Sequence, residues 1–115
     1  MSHEINYGFE TLQIRGGYDP KKHNYACTVP IYQTASFNLG DTDRLERIKS
    51  KEEHGFLDTR SGNPTLDILE KRITALEGGT ASLAVASGMA AEAYSILNLT
   101  EGGGEIVAVK SLYAG

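Results

Sequence analysis

The sequence predicts an α/β fold: an extended arm followed by the start of a mostly parallel sheet. Three observations carry this. The second half of the chain alternates helix-period apolar stripes with short apolar runs. Glycine, serine and asparagine punctuate those segments where caps and tight turns belong. The first forty residues, by contrast, show no sustained period, yet they hold Tyr7, Phe9, Tyr18, Tyr25, Tyr32 and Phe37.

From Met1 to Gly40, Gly16-Gly17 and Asp19-Pro20 read as turns. Val29 to Thr34 reads as extended, because Pro30 disfavours helix at Val29. An irregular stretch so rich in aromatics packs either on its own domain or, as an arm, on another subunit. Asp41 to Ser50 is a short helix with Asp41 as cap and Leu45 and Ile48 on one face. Lys51 to His54 is a solvated charge run, and Gly55 to Gly62 a loop. Asn63-Pro64 opens a helix, with asparagine as N-cap and proline at the first helical position. Leu66, Leu69, Ile73 and Leu76 form its apolar stripe, and Gly78-Gly79 ends it. Ala81–Ala86 reads as a buried strand. Gly88 to about Leu99 follows as a helix with Met89, Ala93, Ile96 and Leu97 on one stripe. Gly102 to Gly104 closes that helix, and Ile106–Val109 reads as a second buried strand, parallel to the first through a right-handed crossover. Two parallel strands need cover on both faces, so the segment reads as the front piece of a larger α/β domain.

Composition excludes several classes. The 115 residues suit at most one domain. With 11 Lys+Arg against 15 Asp+Glu, the net charge of −4 argues against a nucleic-acid partner. The start lacks the basic region and apolar run of a signal peptide, and no window approaches the roughly 18 apolar residues of a membrane span. The chain is therefore expected to be soluble and cytoplasmic. The single cysteine excludes an internal disulfide, and Cys27 reads as a reduced, small packing residue. His3, His23 and His54 lack metal-ligand spacing and read as surface residues, so no metal is expected.

Three places could carry chemistry. Ser87-Gly88-Met89 joins the first expected strand to a helix, where free backbone N–H groups and the helix dipole welcome an anion such as phosphate. The bland alternative is a glycine-containing connector. Arg60 lies in a loop just before a capped helix, either as a bidentate anion ligand or as a solvated arginine within reach of Asp58. Tyr113 follows the second expected strand, at the end where open α/β sheets bind ligands. It is either a stacking or proton-transferring residue or a rim aromatic. Gly102-Gly103-Gly104 precedes a strand instead of following one, the wrong order for a phosphate loop.

Taken together, an ordered set of segments resembles the Cys/Met-metabolism family of pyridoxal-phosphate enzymes. They are Phe9 to Gln13, Val29-Pro-Ile-Tyr-Gln-Thr34, Thr59-Arg-Ser-Gly-Asn-Pro-Thr65, Leu69 to Ile73, Ala75-Leu-Glu-Gly-Gly79, Ala86-Ser-Gly-Met-Ala-Ala91 and Ser111-Leu-Tyr113. Val29 to Thr34 with Ser36-Phe37 and Asp41-Thr-Asp43 is most similar to the O-acetylhomoserine sulfhydrylases of that family.

The resemblance implies the N-terminal part of a fold-type-I pyridoxal-phosphate transferase. Residues 1–62 would be an intersubunit arm with a short helix, and 63–115 the incomplete start of the cofactor domain. It implies that the amides of Gly88 and Met89 hold the cofactor phosphate. It implies that Tyr113 stacks on the cofactor ring as a catalytic residue, and that Arg60 reaches a neighbouring subunit's cofactor phosphate. A small amino-acid substrate and a homo-oligomer, commonly a tetramer, come with it.

The implied reaction is γ-replacement of acetate by sulfide or a thiol. Cystathionine γ-synthase, a γ-lyase, or a non-catalytic assembly module are the alternatives. Two departures stand out. Asp58 occupies a position where the family usually has tyrosine, and it either turns away or pairs with Arg60. None of Lys21, Lys22, Lys49, Lys51, Lys71 and Lys110 has the context of the family's cofactor-bearing lysine, so the chain reads as about the first quarter of such an enzyme, inactive alone.

Overall fold

The computed structural model describes residues 7–113; His3 and the last two residues of the chain lie outside them. The described residues form four α-helices, α1 (Phe9–Arg15), α2 (Thr42–Lys49), α3 (Pro64–Glu77) and α4 (Gly88–Leu99), with a 3-10 turn at Pro20–His23. The chain divides into two compact units, Met1–Ala84 and Val85–Gly115.

Three helices begin as their sequences dictate. Asp41 caps α2 by accepting from the Arg44 amide at 2.7 Å. Asn63 caps α3 by accepting from the Thr65 amide at 2.8 Å, and Pro64 takes the position where a missing N–H costs nothing. Gly78, at φ 64°, supplies the left-handed cap that ends α3. Ser87 caps α4 by accepting from the Ala90 amide at 3.1 Å.

In the first unit α1 lies against α3. No helix is expected between residues 1 and 40, so α1 is a correction. It has seven residues and no side-chain cap, too short to be stable from its own propensity. Its support is tertiary. Gly16 and Gly17 bring the backbone so close to α3 that a Cβ on Gly17 would sit 2.6 Å from Lys71 Cβ and 2.9 Å from the Ile68 carbonyl oxygen. Arg72 Nε donates to the Gly16 carbonyl at 3.0 Å, placing a cation at the negative end of α1. Ile68 is buried in this contact, at 3% exposure. A second guanidinium nitrogen of Arg72, Nη2, is buried without a partner among the described residues.

Part of the aromatic segment ahead of α2 folds onto its own unit, while Phe9 and Tyr25 stay exposed. Tyr18 donates its hydroxyl to the carbonyls of Ala26 and Thr28, and His23 stacks on Tyr18 at 5.3 Å while its Nδ1 lies 3.1 Å from the Tyr32 hydroxyl. His23 is thus half-buried and not a free surface residue; His54 is exposed. Cys27 is exposed and free, not a packing residue; the Ala26 and Thr28 carbonyls on either side of it are the groups that meet Tyr18.

The charge run is also more organised than its composition implies. Glu53 takes Arg44 at 2.7 Å and Arg47 at 3.2 Å, which ties the turn after α2 back to the helix. These hydrogen bonds, Arg44's the larger effect, hold the Glu53 carboxyl below the ordinary glutamate range.

The two expected strands do not form. Residues 81–86 and 106–109 take no regular secondary structure, no strand is present among the described residues, and the expected parallel crossover is absent with them. A strand exists by its ladder of hydrogen bonds, and these runs have none. The Ala84 amide goes to Glu70 Oε1 at 2.8 Å, and Ser82 meets Thr74 through their hydroxyls at 2.9 Å. Nor are the runs buried: Leu83 is 74% exposed and Val107 99%.

Candidate functional site

The N-terminus of α4 leaves backbone donors open. Ser87 is extended at φ −155°, ψ 156°, and its side chain and carbonyl take the amides of Ala90 and Ala91 at 3.1 Å each. The amides of Gly88 and Met89 have no partner among the described residues. Nothing lies within 4 Å of a Cβ placed on Gly88, so the approach is open. No acidic residue occupies the first turn, and the dipole adds partial positive charge there. Tyr113 belongs to the same compact unit, with 85% of its surface exposed.

Arg60 belongs to the other unit and sits on a turn organised by Asp58. The Asp58 Oδ1 atom accepts from the Arg60 amide at 2.9 Å, and Oδ2 takes Arg60 Nη1 at 2.6 Å. The Asp58 carbonyl accepts from Ser61 and Gly62. Of the two readings of Asp58, pairing is the one observed. The guanidinium stays 83% exposed in side-chain terms, so it is held but accessible.

A feature that the sequence reading passed over anchors this turn. Asn63 is 3% exposed. Besides capping α3, its Nδ2 donates to the Tyr32 carbonyl at 2.8 Å and to Thr59 Oγ1 at 3.1 Å. The Thr65 hydroxyl accepts from the Tyr32 amide and donates to the Pro30 carbonyl, both at 2.9 Å. Antiparallel bridging of Ser36 with Asp58 closes the same clamp. The extended run around Pro30 and the Arg60 turn are therefore fixed by one asparagine and one threonine. The spacing Asn-Pro-Thr signalled only the cap.

An open groove of about 560 Å³ runs along α3 between Asp67, Glu70, Thr74 and Ser82; none of the candidate cofactor residues lines it. Among the described residues no group of three or more His, Cys, Asp or Glu is placed to hold a metal ion, and no helix is long and apolar enough to cross a membrane.

The open N-terminus of α4 in one unit and the accessible Arg60 in the other are each a candidate anion contact. The comparisons name the family. The model of the Cys/Met metabolism PLP-dependent enzymes matches residues 10–115. An O-acetyl-L-homoserine sulfhydrylase of Leptospira meyeri is 48% identical over 110 residues, 96% of this chain and 25% of the relative. An L-methionine gamma-lyase of Pseudomonas putida is 41% identical over 92% of this chain and 27% of the relative. A crystal structure of an O-acetylhomoserine (thiol)-lyase from Campylobacter jejuni, carrying N'-pyridoxyl-lysine-5'-monophosphate, matches with TM-score 0.72 and 36% identity over 81% of this chain and 23% of that one. The chain belongs to the Cys/Met metabolism PLP-dependent enzyme family. Its fold class is that of the N-terminal part of the fold-type-I pyridoxal-phosphate enzymes, without the sheet among the described residues. It spans about a quarter of the length of the curated relatives that it matches.

The residues present fit one end of pyridoxal phosphate. The open amides of Gly88 and Met89 suit its phosphate. All six lysines are exposed, and Lys71, which lines the groove along α3, is paired with Asp67 at 2.6 Å.

Proposed function

We propose that the chain is the N-terminal part of a PLP-dependent O-acetylhomoserine sulfhydrylase and supplies the phosphate side of its cofactor site. The observation that carries this reading is the pair of unpartnered amides at Gly88 and Met89, in a chain 48% identical to such an enzyme. When bound, the cofactor supplies an electron sink for carbanions at the substrate's α and β carbons.

The amides of Gly88 and Met89 bind phosphate oxygens with the α4 dipole behind them. The Tyr113 ring stacks on the cofactor plane, and its hydroxyl holds or passes a proton at the reacting carbons. Arg60, oriented by Asp58, reaches a phosphate on a neighbouring subunit, with residues 1–62 as the intersubunit arm of a homotetramer and 63–115 as the start of the cofactor domain. The net reaction exchanges acetate for sulfide or a thiol at the γ-carbon of O-acetylhomoserine, in the cytoplasm. The cofactor-bearing lysine lies outside this chain's six, so the chain alone is inactive.

A γ-lyase is the second reading, favoured by the 41% identity to the methionine gamma-lyase. A chimera in which this chain replaces the matching quarter of the Leptospira meyeri relative tests both. Homocysteine formed from O-acetylhomoserine and sulfide supports the first reading. Turnover of methionine or cystathionine without that activity overturns it.

A further inference from the structure

We propose that the cavity between the Pro20–His23 turn, α3 and His54 is a binding site for a small zwitterion, an α-amino acid with an apolar side chain. This does not rest on the reaction assigned above.

The cavity lies wholly within the first unit and measures about 300 Å³, the size of the smaller ligand sites. None of Arg60, Gly88, Met89 and Tyr113 lines it. Its apolar part is Ile68, 3% exposed, beside Gly17. Its charged lining carries both signs. Asp67 and Lys71 answer each other at 2.6 Å. Asp19 and Lys22 do not, and neither has an ion-pair partner among the described residues. Asp19 accepts from the Lys21 amide through Oδ1 at 3.1 Å, which fixes the carboxylate and leaves its second oxygen open. Lys22 is presented by the 3-10 turn that Asp19 caps.

His23 and His54 complete the wall. The His23 ring is stacked on Tyr18, and its Nδ1 meets the Tyr32 hydroxyl at 3.1 Å, so Nε2 is the nitrogen left over. The His54 ring stands edge-on to Phe56 at 5.3 Å. The loop leaving the turn is tightly wound, with Asn24 and Tyr25 both left-handed at φ 51° and 58°. That backbone is costly for a tyrosine, and such strain collects at ligand clamps.

The charge pattern selects the ligand. A simple cation would be repelled by Lys22, and a simple anion by Asp19. An ammonium and a carboxylate on one small molecule answer both. The ammonium goes to Asp19, and the carboxylate to Lys22 with an imidazole N–H as a further donor. The apolar remainder of the molecule meets Ile68.

Calorimetric titration of the 115-residue chain with L-norleucine tests the site. Two analogues separate its charges: hexanoate lacks the ammonium, and pentylamine lacks the carboxylate. Norleucine should bind at one site, and each analogue should bind at least about tenfold more weakly. Asp19→Asn, which keeps an acceptor for the Lys21 amide, and Lys22→Gln should each weaken norleucine about tenfold, while Lys49→Gln on α2 should leave it unchanged. Absence of norleucine binding up to about 20 mM overturns the proposal. Hexanoate or pentylamine binding as tightly as norleucine contradicts it in favour of a plain anion or cation site. Full affinity in both Asp19→Asn and Lys22→Gln places norleucine elsewhere and also overturns it. The analogue comparison uses the unaltered chain, so it decides the question even where a substitution unfolds the turn.

Discussion

At the scale of residues, Asn63 fixes the turn that carries Arg60. Asn63 uses its oxygen to cap α3 and its nitrogen to hold the Tyr32 carbonyl and Thr59. Removing it costs the cap, about 1 kcal/mol, and leaves a buried carbonyl poorly satisfied, about 1–3 kcal/mol more. Asn63→Ala should therefore lower stability by roughly 2–4 kcal/mol in denaturant unfolding, while Asn63→Asp should recover the cap but not the donor. Arg60 is the proposed phosphate ligand. A charge-assisted contact to phosphate is worth about 1.5–3 kcal/mol, and exposure places Arg60 at the weak end. In the chimera, Arg60→Ala should weaken cofactor retention about tenfold, measured as dissociation at fixed ionic strength. Asp58→Asn should tighten it, because the amide oxygen still accepts from the Arg60 backbone while the competing charge is gone. Unchanged retention in Arg60→Ala would return that arginine to an ordinary surface role.

At the scale of elements, the helices with polar caps were legible and the elements held by tertiary contact were not. Asp41, Asn63 and Ser87 announce α2, α3 and α4 because a side-chain cap acts over three residues of sequence. Helix α1 has no such cap, and its reason for being helical is Arg72, distant in sequence and close in space. Gly16-Gly17 reads locally as a turn; that it is also a close approach to α3 requires the partner to be known. Gly17, at φ 69°, has no room for a methyl group. Gly17→Ala should cost about 2–4 kcal/mol from left-handed strain and overlap and release α1, visible as lost helix in circular dichroism. The strands failed for the converse reason. Short apolar runs at 81–86 and 106–109 satisfy the local pattern, but a ladder needs neighbours that the described residues do not provide. In the turn after α2, Glu53 has a carboxyl held below its unfolded value by Arg44 and Arg47. Its contribution is fully present above the unfolded glutamate pKa and lost as pH falls through the lower folded value. Acidification through that window should lower the melting temperature, and Glu53→Gln should flatten the dependence there. An unchanged slope in Glu53→Gln would remove Glu53 from that account.

At the scale of the whole molecule, the candidate site was legible wherever backbone chemistry defines it. The Ser87-Gly88-Met89 turn was readable from residue types alone, whereas the capping of the Ala90 amide by Ser87 comes from the structure. The pairing of Asp58 with Arg60 was one of two readings, and only the turn geometry selects it. The division of labour within the cofactor site is the central claim: this chain supplies groups for the phosphate and ring, and another part of the subunit supplies the lysine. Borohydride reduction in the presence of pyridoxal phosphate, followed by peptide mapping, tests it most directly on the chain alone and on the chimera. The account predicts a stoichiometric adduct in the chimera at a lysine outside this chain, and no specific adduct in the chain alone. A stoichiometric adduct at Lys110, Lys71 or any other single lysine of this chain would contradict it.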